Sequence, residues 1–268
     1  MDIRDFYLME GERPLDNLVS DGGFCGIFRT IGCIGDSLSS GEFEGKKENG
    51  DKLYYDAFDY SWGQFLARMA GTKVYNFSRG GMTAREYMDS FGEAKNFFDP
   101  EKACQAYIIA LGVNDVTGIL AGKMEFGGID DVCCDDIEKC GNSFAGRYGE
   151  LILRYKQISP NAKFFLMTMP HGAENEQRSE LYDRHRKLMY ELAEMLGNTY
   201  VLDLREYAPV YDSKFRETFF LQGHMNAAGY LLTAKIVASY IDYIIRKNPD
   251  DFKKIGFVGS PYEEVNLK

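Results

Sequence analysis

The sequence predicts an α/β domain in three layers, with a five-stranded parallel sheet between two layers of helices. Short apolar segments alternate with longer amphipathic segments five times along the 268 residues, a pattern typical of repeated strand–helix crossovers. Residues 105–111 are apolar almost throughout, as expected of a central strand buried on both faces. No repeat or linker interrupts the pattern. We therefore expect a single domain over residues 1–268, with its core at about residues 28–247.

Each predicted element has a local signal. The five strands are apolar segments that end in small polar residues, at 31–35, 73–77, 105–111, 162–168 and 200–204. The helices have apolar residues at helical spacing, at 59–70, 83–98, 135–157, 176–196 and 226–247. Gly71 is a helix stop, and Thr83 with Glu86 forms a capping box. The segments 1–27, 39–56, 117–131, 205–223 and 249–268 are predicted to be irregular, with 39–56 an exposed loop beside Ser37.

The charge balance restricts the partners that we expect. A net charge of −10 argues against nucleic-acid binding and against docking on anionic membranes, since both need a basic surface. No apolar run approaches the roughly 20 residues of a membrane span. The first five residues are of mixed charge, unlike a secretory leader. We expect a cytoplasmic protein that acts on a small molecule, and no oligomeric state is predicted.

Cysteine and histidine usage argues against a metal site. Cys133, Cys134 and Cys140 match no zinc-ligand spacing, and the six cysteines are expected to be reduced. Only three histidines occur. His185 lies among charged residues of a predicted helix, where we expect it to be solvated, and His171 follows the fourth strand. We therefore predict neither a metal nor an organic cofactor.

Four segments with reactive or small residues follow strands or precede the last helix. In a parallel sheet the carboxyl ends of the strands share one edge, so residues distant in sequence meet there. Ser37 follows the first strand, and a serine needs a base to become a nucleophile. His224 stands just before the last helix. The backbone N–H groups of Gly81 and Ser37 and the side-chain amide of Asn114 are candidate donors for an oxyanion.

Each of these residues also has a purely structural interpretation. Ser37 could cap the helix or loop after the first strand, and His224 could occupy an N-cap region. Asn114 could satisfy loop backbone groups, and Gly81 could permit a turn with positive φ. The four segments together, each at a predicted element boundary, favour the catalytic interpretation.

These segments, in this order, resemble the sequence blocks of the SGNH or GDSL hydrolases. The blocks are residues 35–38 (GDSL), 76–81 (NFSRGG), 112–115 (GVND) and 224–230 (HMNAAGY). The resemblance implies a flavodoxin-like sheet with strand order 2-1-3-4-5 and an esterase or acylhydrolase activity. It also implies that Ser37 is the nucleophile, His224 the base, and Gly81 and Asn114 the oxyanion donors.

One position departs from the family pattern. The family places an aspartate three residues before the histidine, and here that position is Leu221. Because the imidazole Nδ1–H needs only an acceptor, another group could replace the aspartate, and Asp212 and Glu217 are candidates. We therefore predict a Ser–His dyad with a substitute acceptor.

The predicted function is hydrolysis of small soluble carboxylic esters, such as acetylated carbohydrates. Leu221 favours an alternative, a degenerate domain that binds a carbohydrate or acylated ligand without hydrolysis. A nucleotide-binding domain would need a glycine-rich loop that opens a helix after the first strand, whereas the segment after Ser37 is long and acidic.

Overall fold

The computed structural model describes residues 3–263. Its main sheet has five parallel strands in the order β4-β1-β5-β6-β7. The seven strands are β1 Thr30–Gly35, β2 Glu42–Lys46, β3 Lys52–Asp56, β4 Lys73–Ser78, β5 Ala106–Ala110, β6 Lys163–Met167 and β7 Thr199–Leu202. With β2 and β3 set aside, the order along the chain is 2-1-3-4-5. Both the parallel sheet and its flavodoxin-like order are confirmed.

Helices cover both faces of this sheet. The α-helices are α1 Arg4–Tyr7, α2 Ser37–Ser40, α3 Trp62–Ala70, α4 Ala84–Glu86, α5 Gly92–Ala94, α6 Val113–Leu120, α7 Phe144–Ile158, α8 Glu176–Leu196, α9 Leu204–Tyr207, α10 Ser213–Phe219 and α11 Ala227–Lys247. A π-helical turn, Tyr87–Phe91, joins α4 to α5. The helix predicted at 83–98 is therefore a broken one, although Thr83 caps it as predicted.

The central strands supply two separate apolar cores because successive side chains of a strand point to opposite faces. Tyr107 and Ile109 pack into one core, which α7 and α8 cover. Ile108 packs into the other core, with residues of α3 and α11. A strand buried on both faces must be apolar at every position, and this explains why residues 105–111 carry the clearest strand signal.

The largest error of the sequence prediction concerns residues 39–56. These residues form an antiparallel hairpin of β2 and β3 rather than an irregular loop, with Glu42 paired to Asp56. Gly41 has φ +82°, and a Cβ there would lie 2.7 Å from the carbonyl oxygen of Ala57, so the turn into the hairpin requires glycine. Tyr230 of α11 donates a 2.6 Å hydrogen bond to the carbonyl of Glu42 and fixes the start of the hairpin.

Several other segments are more ordered than predicted. The predicted helix at 135–157 begins only at Phe144, after the side chain of Ser143 caps it. The irregular segment 205–223 contains α10 and most of α9. Part of the expected loop at 117–131 belongs to α6. Phe252 of the C-terminal segment is buried in the core beside α11.

The prediction for His185 was wrong. Its side chain is fully buried in α8, with Nε2 3.2 Å from the carbonyl oxygen of Leu111 and its ring against Phe144. Burial lowers the pKa of His185 to about 4, so the imidazole is neutral and acts as a core side chain. The charged residues beside it in sequence lie on the other faces of the helix.

Helix α11 is the one described helix that is long and apolar enough to cross a membrane. Of its most apolar window, 72% is buried inside the fold, as in a core helix. All six cysteines are free thiols.

Candidate active site

Ser37 lies at the carboxyl end of β1, as the first residue of α2. A Cβ on Gly35 would lie 2.2 Å from Oγ of Ser39, so the tight turn out of the strand needs a glycine. The side chain of Asp36 caps α2 by accepting a 3.1 Å hydrogen bond from the N–H of Leu38. Ser37 is half-buried, and within residues 3–263 its hydroxyl has no hydrogen-bond partner. Asp36, rather than Ser37, therefore performs the capping role.

His224 precedes α11 and lies between two carboxylates from the hairpin. Its Nδ1 is 3.0 Å from Oε2 of Glu44, and its Nε2 is 3.0 Å from Oε1 of Glu42. Glu42 and Glu44 are two positions apart on β2, so their side chains point to the same side of the strand. Tyr54 of β3 packs against the imidazole in a T-shaped arrangement, with the ring centres 5.8 Å apart.

The buried carboxylate of Glu44 is fully hydrogen-bonded. Besides Nδ1 of His224, it accepts from Nζ of Lys52 at 2.7 Å and from the N–H of Gly223 at 2.8 Å. The hydrogen bond from Lys52 is the main reason that the pKa of Glu44 falls to about 2, and those from His224 and Gly223 add to it. Glu44 is thus an ionised acceptor that orients the imidazole.

Glu44 therefore holds the position for which Asp212 and Glu217 were proposed, and both proposals were wrong. Asp212 caps α10 by accepting from the N–H of Phe215, and Glu217 is an exposed residue of that helix. The alternation of Glu42 and Glu44 around Phe43 was the available sequence signal. It indicates a strand with a polar face, but residues 39–56 were interpreted as a loop.

Gly81 and Asn114 lie on neighbouring loops that are tied together. Gly81 has φ +72°, and the space beside its Cα is open. The amide of Asn114 donates to the carbonyl of Met82 at 3.1 Å and to Oδ2 of Asp36 at 3.4 Å. Asn114 thus links the ends of β1, β4 and β5 at one edge of the sheet.

Two buried carboxyl groups lie beneath these loops. Burial raises the pKa of Asp36 to about 6, although the hydrogen bond from Leu38 and the nearby imidazole of His224 oppose the shift. Burial also raises the pKa of Asp115 to about 7. Asp115 accepts a 2.9 Å hydrogen bond from the N–H of Ala84 at Oδ1, while its Oδ2 is buried without a hydrogen-bond partner among residues 3–263. Asp115 therefore anchors the far end of the turn that contains Gly81.

A cavity of about 720 Å³ lies at this edge of the sheet, and neither Ser37 nor His224 is among its lining residues. Leu38 and Gly223, their neighbours in sequence, form part of its wall. The lining is largely apolar and includes Trp62, Leu111, Val113, Met167, Met169, Pro170, Tyr211, Phe220 and Met225. A cavity of this size and character suits an organic ligand.

The structure gathers the four predicted site residues at the carboxyl edge of the sheet. Ser37, Gly81, Asn114 and His224 all lie on loops or helix starts at that edge. Ser37 and His224 are not hydrogen-bonded to each other, because Nε2 faces Glu42. Sequence reasoning missed both hairpin glutamates.

Comparisons with known proteins place this chain in a family. The model of the GDSL-like lipase/acylhydrolase family matches residues 33–232. No curated protein matches the chain.

Solved structures of esterases share the fold. A family two carbohydrate esterase from Clostridium thermocellum, in complex with cellohexaose, is 15% identical with a TM-score of 0.57, over 90% of this chain and 66% of that chain. A putative GDSL-like lipase from Parabacteroides merdae is 18% identical with a TM-score of 0.52, over 85% of this chain and 100% of the other. An acetyl xylan esterase, AlAXEase, is 16% identical with a TM-score of 0.51, over 79% and 99%. The chain belongs to the GDSL-like lipase/acylhydrolase family of ester hydrolases.

Proposed function

We propose that this protein is a serine esterase in which Ser37 is the nucleophile, His224 the base and Glu44 the residue that orients the base. The observation that carries the proposal is the 3.0 Å contact between Nδ1 of His224 and the buried, ionised carboxylate of Glu44. A carboxylate at Nδ1 keeps the proton there, so that Nε2 has the lone pair, and it stabilises the imidazolium that forms during the reaction.

In the proposed reaction, Nε2 of His224 takes the proton of Ser37 as Oγ bonds to the ester carbonyl carbon. The C=O electron pair moves onto oxygen, and the N–H of Gly81 and the amide of Asn114, released from its 3.4 Å contact with Asp36, stabilise the resulting charge. The imidazolium then protonates the departing alcohol as its C–O bond breaks. Water repeats the sequence on the acyl-enzyme: His224 takes its proton, the acid is formed, and Ser37 regains its hydrogen.

Exposed aromatic residues support a sugar as the alcohol part of the ester. Tyr54, Tyr55 and Tyr60 are each at least half exposed, and Tyr54 contacts the imidazole that would protonate the leaving group. Aromatic faces suit the apolar faces of sugar rings. Two of the structurally similar proteins are carbohydrate esterases. We therefore propose acylated carbohydrates, including acetylated ones, as the substrate class.

The alternative, a domain that binds ligand without hydrolysis, was favoured by Leu221 at the position of the family aspartate. Glu44 supplies the missing acceptor, so Leu221 no longer favours that alternative. The alternative predicts ligand binding with no turnover.

The test compares the wild type with Ser37→Ala and His224→Ala on p-nitrophenyl acetate, butyrate and octanoate and on acetylated xylo-oligosaccharides. We expect turnover by the wild type and loss of at least about 10³-fold in kcat in both variants. Glu48→Gln, an exposed carboxylate at the tip of the same hairpin, is the matched control. Undiminished turnover by Ser37→Ala would overturn the proposal, and a folded wild type that binds but does not hydrolyse these esters would favour the alternative.

A further inference from the structure

The carboxylate of Glu42 occupies Nε2 of His224, the nitrogen that would accept the proton of Ser37. Oε1 of Glu42 lies 3.0 Å from Nε2 of His224, while the hydroxyl of Ser37 has no hydrogen-bond partner in the described part of the chain. Each of the two side chains is 16% exposed. In this arrangement the base cannot receive the proton of Ser37. The proposed mechanism does not use Glu42, so the contact needs its own explanation.

The second oxygen of Glu42 lies against the turn that carries the oxyanion donor. A Cβ on Gly80 would be 2.5 Å from Oε2 of Glu42, so the glycine permits the close approach. The carboxylate therefore reaches from Nε2 of His224 to the turn beside Gly81. A planar group with one oxygen at the base and the other at the oxyanion turn occupies the volume that an ester carboxyl group needs.

The contact between His224 and Glu42 also requires a proton between Nε2 and Oε1. Glu44 is ionised and takes the Nδ1 hydrogen, so a neutral imidazole would face Glu42 with a lone pair. Two lone pairs repel each other at 3.0 Å, and the contact is favourable only when a proton lies between Nε2 and Oε1. Burial raises the pKa of Glu42, which helps to retain that proton.

The carboxylates around Glu42 and His224 also favour a proton between the two side chains. The carboxylates of Glu44, Asp36 and Asp56 lie close enough to influence Glu42 or His224 electrostatically. Of the neighbouring cations, Lys52 is bonded to Glu44, and Arg79, next to Gly80, is paired with Glu86. Tyr54 contacts the imidazole through its ring, in a T-shaped arrangement. The negative surroundings favour the protonated pair.

We propose that Glu42 is a positioning residue that blocks Nε2 of His224 in the free enzyme. Its side chain rotates away when an ester binds beside the turn that carries Gly81. Tyr230 holds the backbone of Glu42, so only its side chain has to rotate. The inference rests on the proposed function, because it assigns to Glu42 an effect on the base that Ser37 needs. It follows that Glu42 sets the lower pH limit of activity and raises KM.

The test measures kcat and KM against pH for the wild type, Glu42→Gln and Glu42→Ala. Alanine is included because a glutamine amide could itself donate to Nε2. Because neither variant has a carboxylate that can share a proton at Nε2, the acidic limb of kcat/KM should move to lower pH, by about one unit. At pH values below the acidic limb of the wild type, kcat/KM of the Glu42 variants should be about tenfold higher than that of the wild type, mainly because KM is lower.

Two comparisons separate this effect from a structural one. Glu48→Gln should leave the profile unchanged, and Glu44→Gln should lower kcat across the whole pH range. The rate at which a p-nitrophenyl phosphonate modifies Ser37 should rise near pH 6 in both Glu42 variants, and thermal unfolding identifies any variant that is misfolded.

An unchanged acidic limb in both folded Glu42 variants, or a loss of kcat like that of Glu44→Gln, overturns the inference. Either result leaves the serine mechanism standing, provided that Ser37→Ala is inactive. Activity in Ser37→Ala overturns the proposed function itself.

Discussion

Oε2 of Glu44 lies 3.0 Å from Nδ1 of His224, although 180 positions separate the two residues. The hairpin that follows the proposed nucleophile thus supplies an acceptor at Nδ1, in place of the aspartate that the family pattern has three residues before the histidine. The same carboxylate accepts the N–H of Gly223, so it fixes both the ring and the loop that carries it. This geometry makes Glu44 the residue that orients the imidazole of His224, the proposed base.

Glu44→Gln is expected to lower kcat by about 10³- to 10⁴-fold with little change in KM. A glutamine can accept only through its oxygen, and an amide that donates to Nδ1 would leave the imidazole in the wrong tautomer. The measurement is kcat on p-nitrophenyl acetate, with Glu48→Gln as the control. An activity within threefold of the wild type would show that the acceptor at Nδ1 is dispensable.

Asn114→Ala is expected to lower kcat by about 10²-fold or more, since one of the two proposed oxyanion donors is lost. The amide also holds the carbonyl of Met82, so the turn at Gly81 loses a restraint. Asn114→Asp is the matched variant, because it keeps the size of the side chain and removes the donor. If Asn114→Asp retains full kcat, Asn114 has only a structural role.

Asp115→Asn is expected to change how stability depends on pH. The pKa of Asp115 is raised from 3.8 to about 7, so between these values the folded state binds more protons than the unfolded state. The free energy of unfolding contributed by this group therefore falls as pH rises through that window. Asparagine does not titrate and still accepts the N–H of Ala84 through its oxygen.

Urea unfolding at about pH 5 and pH 8 checks this prediction. The stability of Asp115→Asn relative to the wild type should be higher at pH 8 than at pH 5. An equal difference at both values would mean that Asp115 titrates near its ordinary pKa.

Gly41→Ala is expected to reduce both stability and activity. An alanine at φ +82°, with its Cβ 2.7 Å from the carbonyl oxygen of Ala57, is strained by about 1–3 kcal/mol. Relief of that strain would shift β2 and move Glu44 away from His224. Gly50→Ala is the control, since Gly50 also has a positive φ but has no atom near its Cβ and lies far along the hairpin. Equal kcat values in the two variants would contradict the role assigned to the hairpin.

The main sheet could be predicted because its strands are short apolar runs that end abruptly. Residues 106–109 are buried, and Gln105 is the one polar residue of the segment 105–111, so little obscures the pattern. The positions of Ser37, Gly81, Asn114 and His224 at one edge follow from the parallel order alone. Helix α8 was predicted at its observed bounds because Asn198 and Gly197 end its helical pattern clearly.

The hairpin could not be identified in the same way. All five residues of β3 are exposed, and the buried face of β2 carries glutamates, so the usual apolar alternation is absent. Glu44 is buried only because Lys52, Gly223 and His224 bond to it, and two of these partners are distant in sequence. The prediction for His185 was wrong for a related reason. Its polar neighbours in sequence do not indicate that its side chain contacts the carbonyl of Leu111.

The most direct test of the central claim is modification of the wild type by a p-nitrophenyl phosphonate, followed by mass spectrometry of the peptide that contains residues 30–46. We predict one phosphonyl group on Ser37, with release of one equivalent of p-nitrophenol, loss of esterase activity in proportion, and no adduct in His224→Ala. An adduct on another residue, or full esterase activity in protein modified at Ser37, would contradict the assignment of Ser37 as the nucleophile.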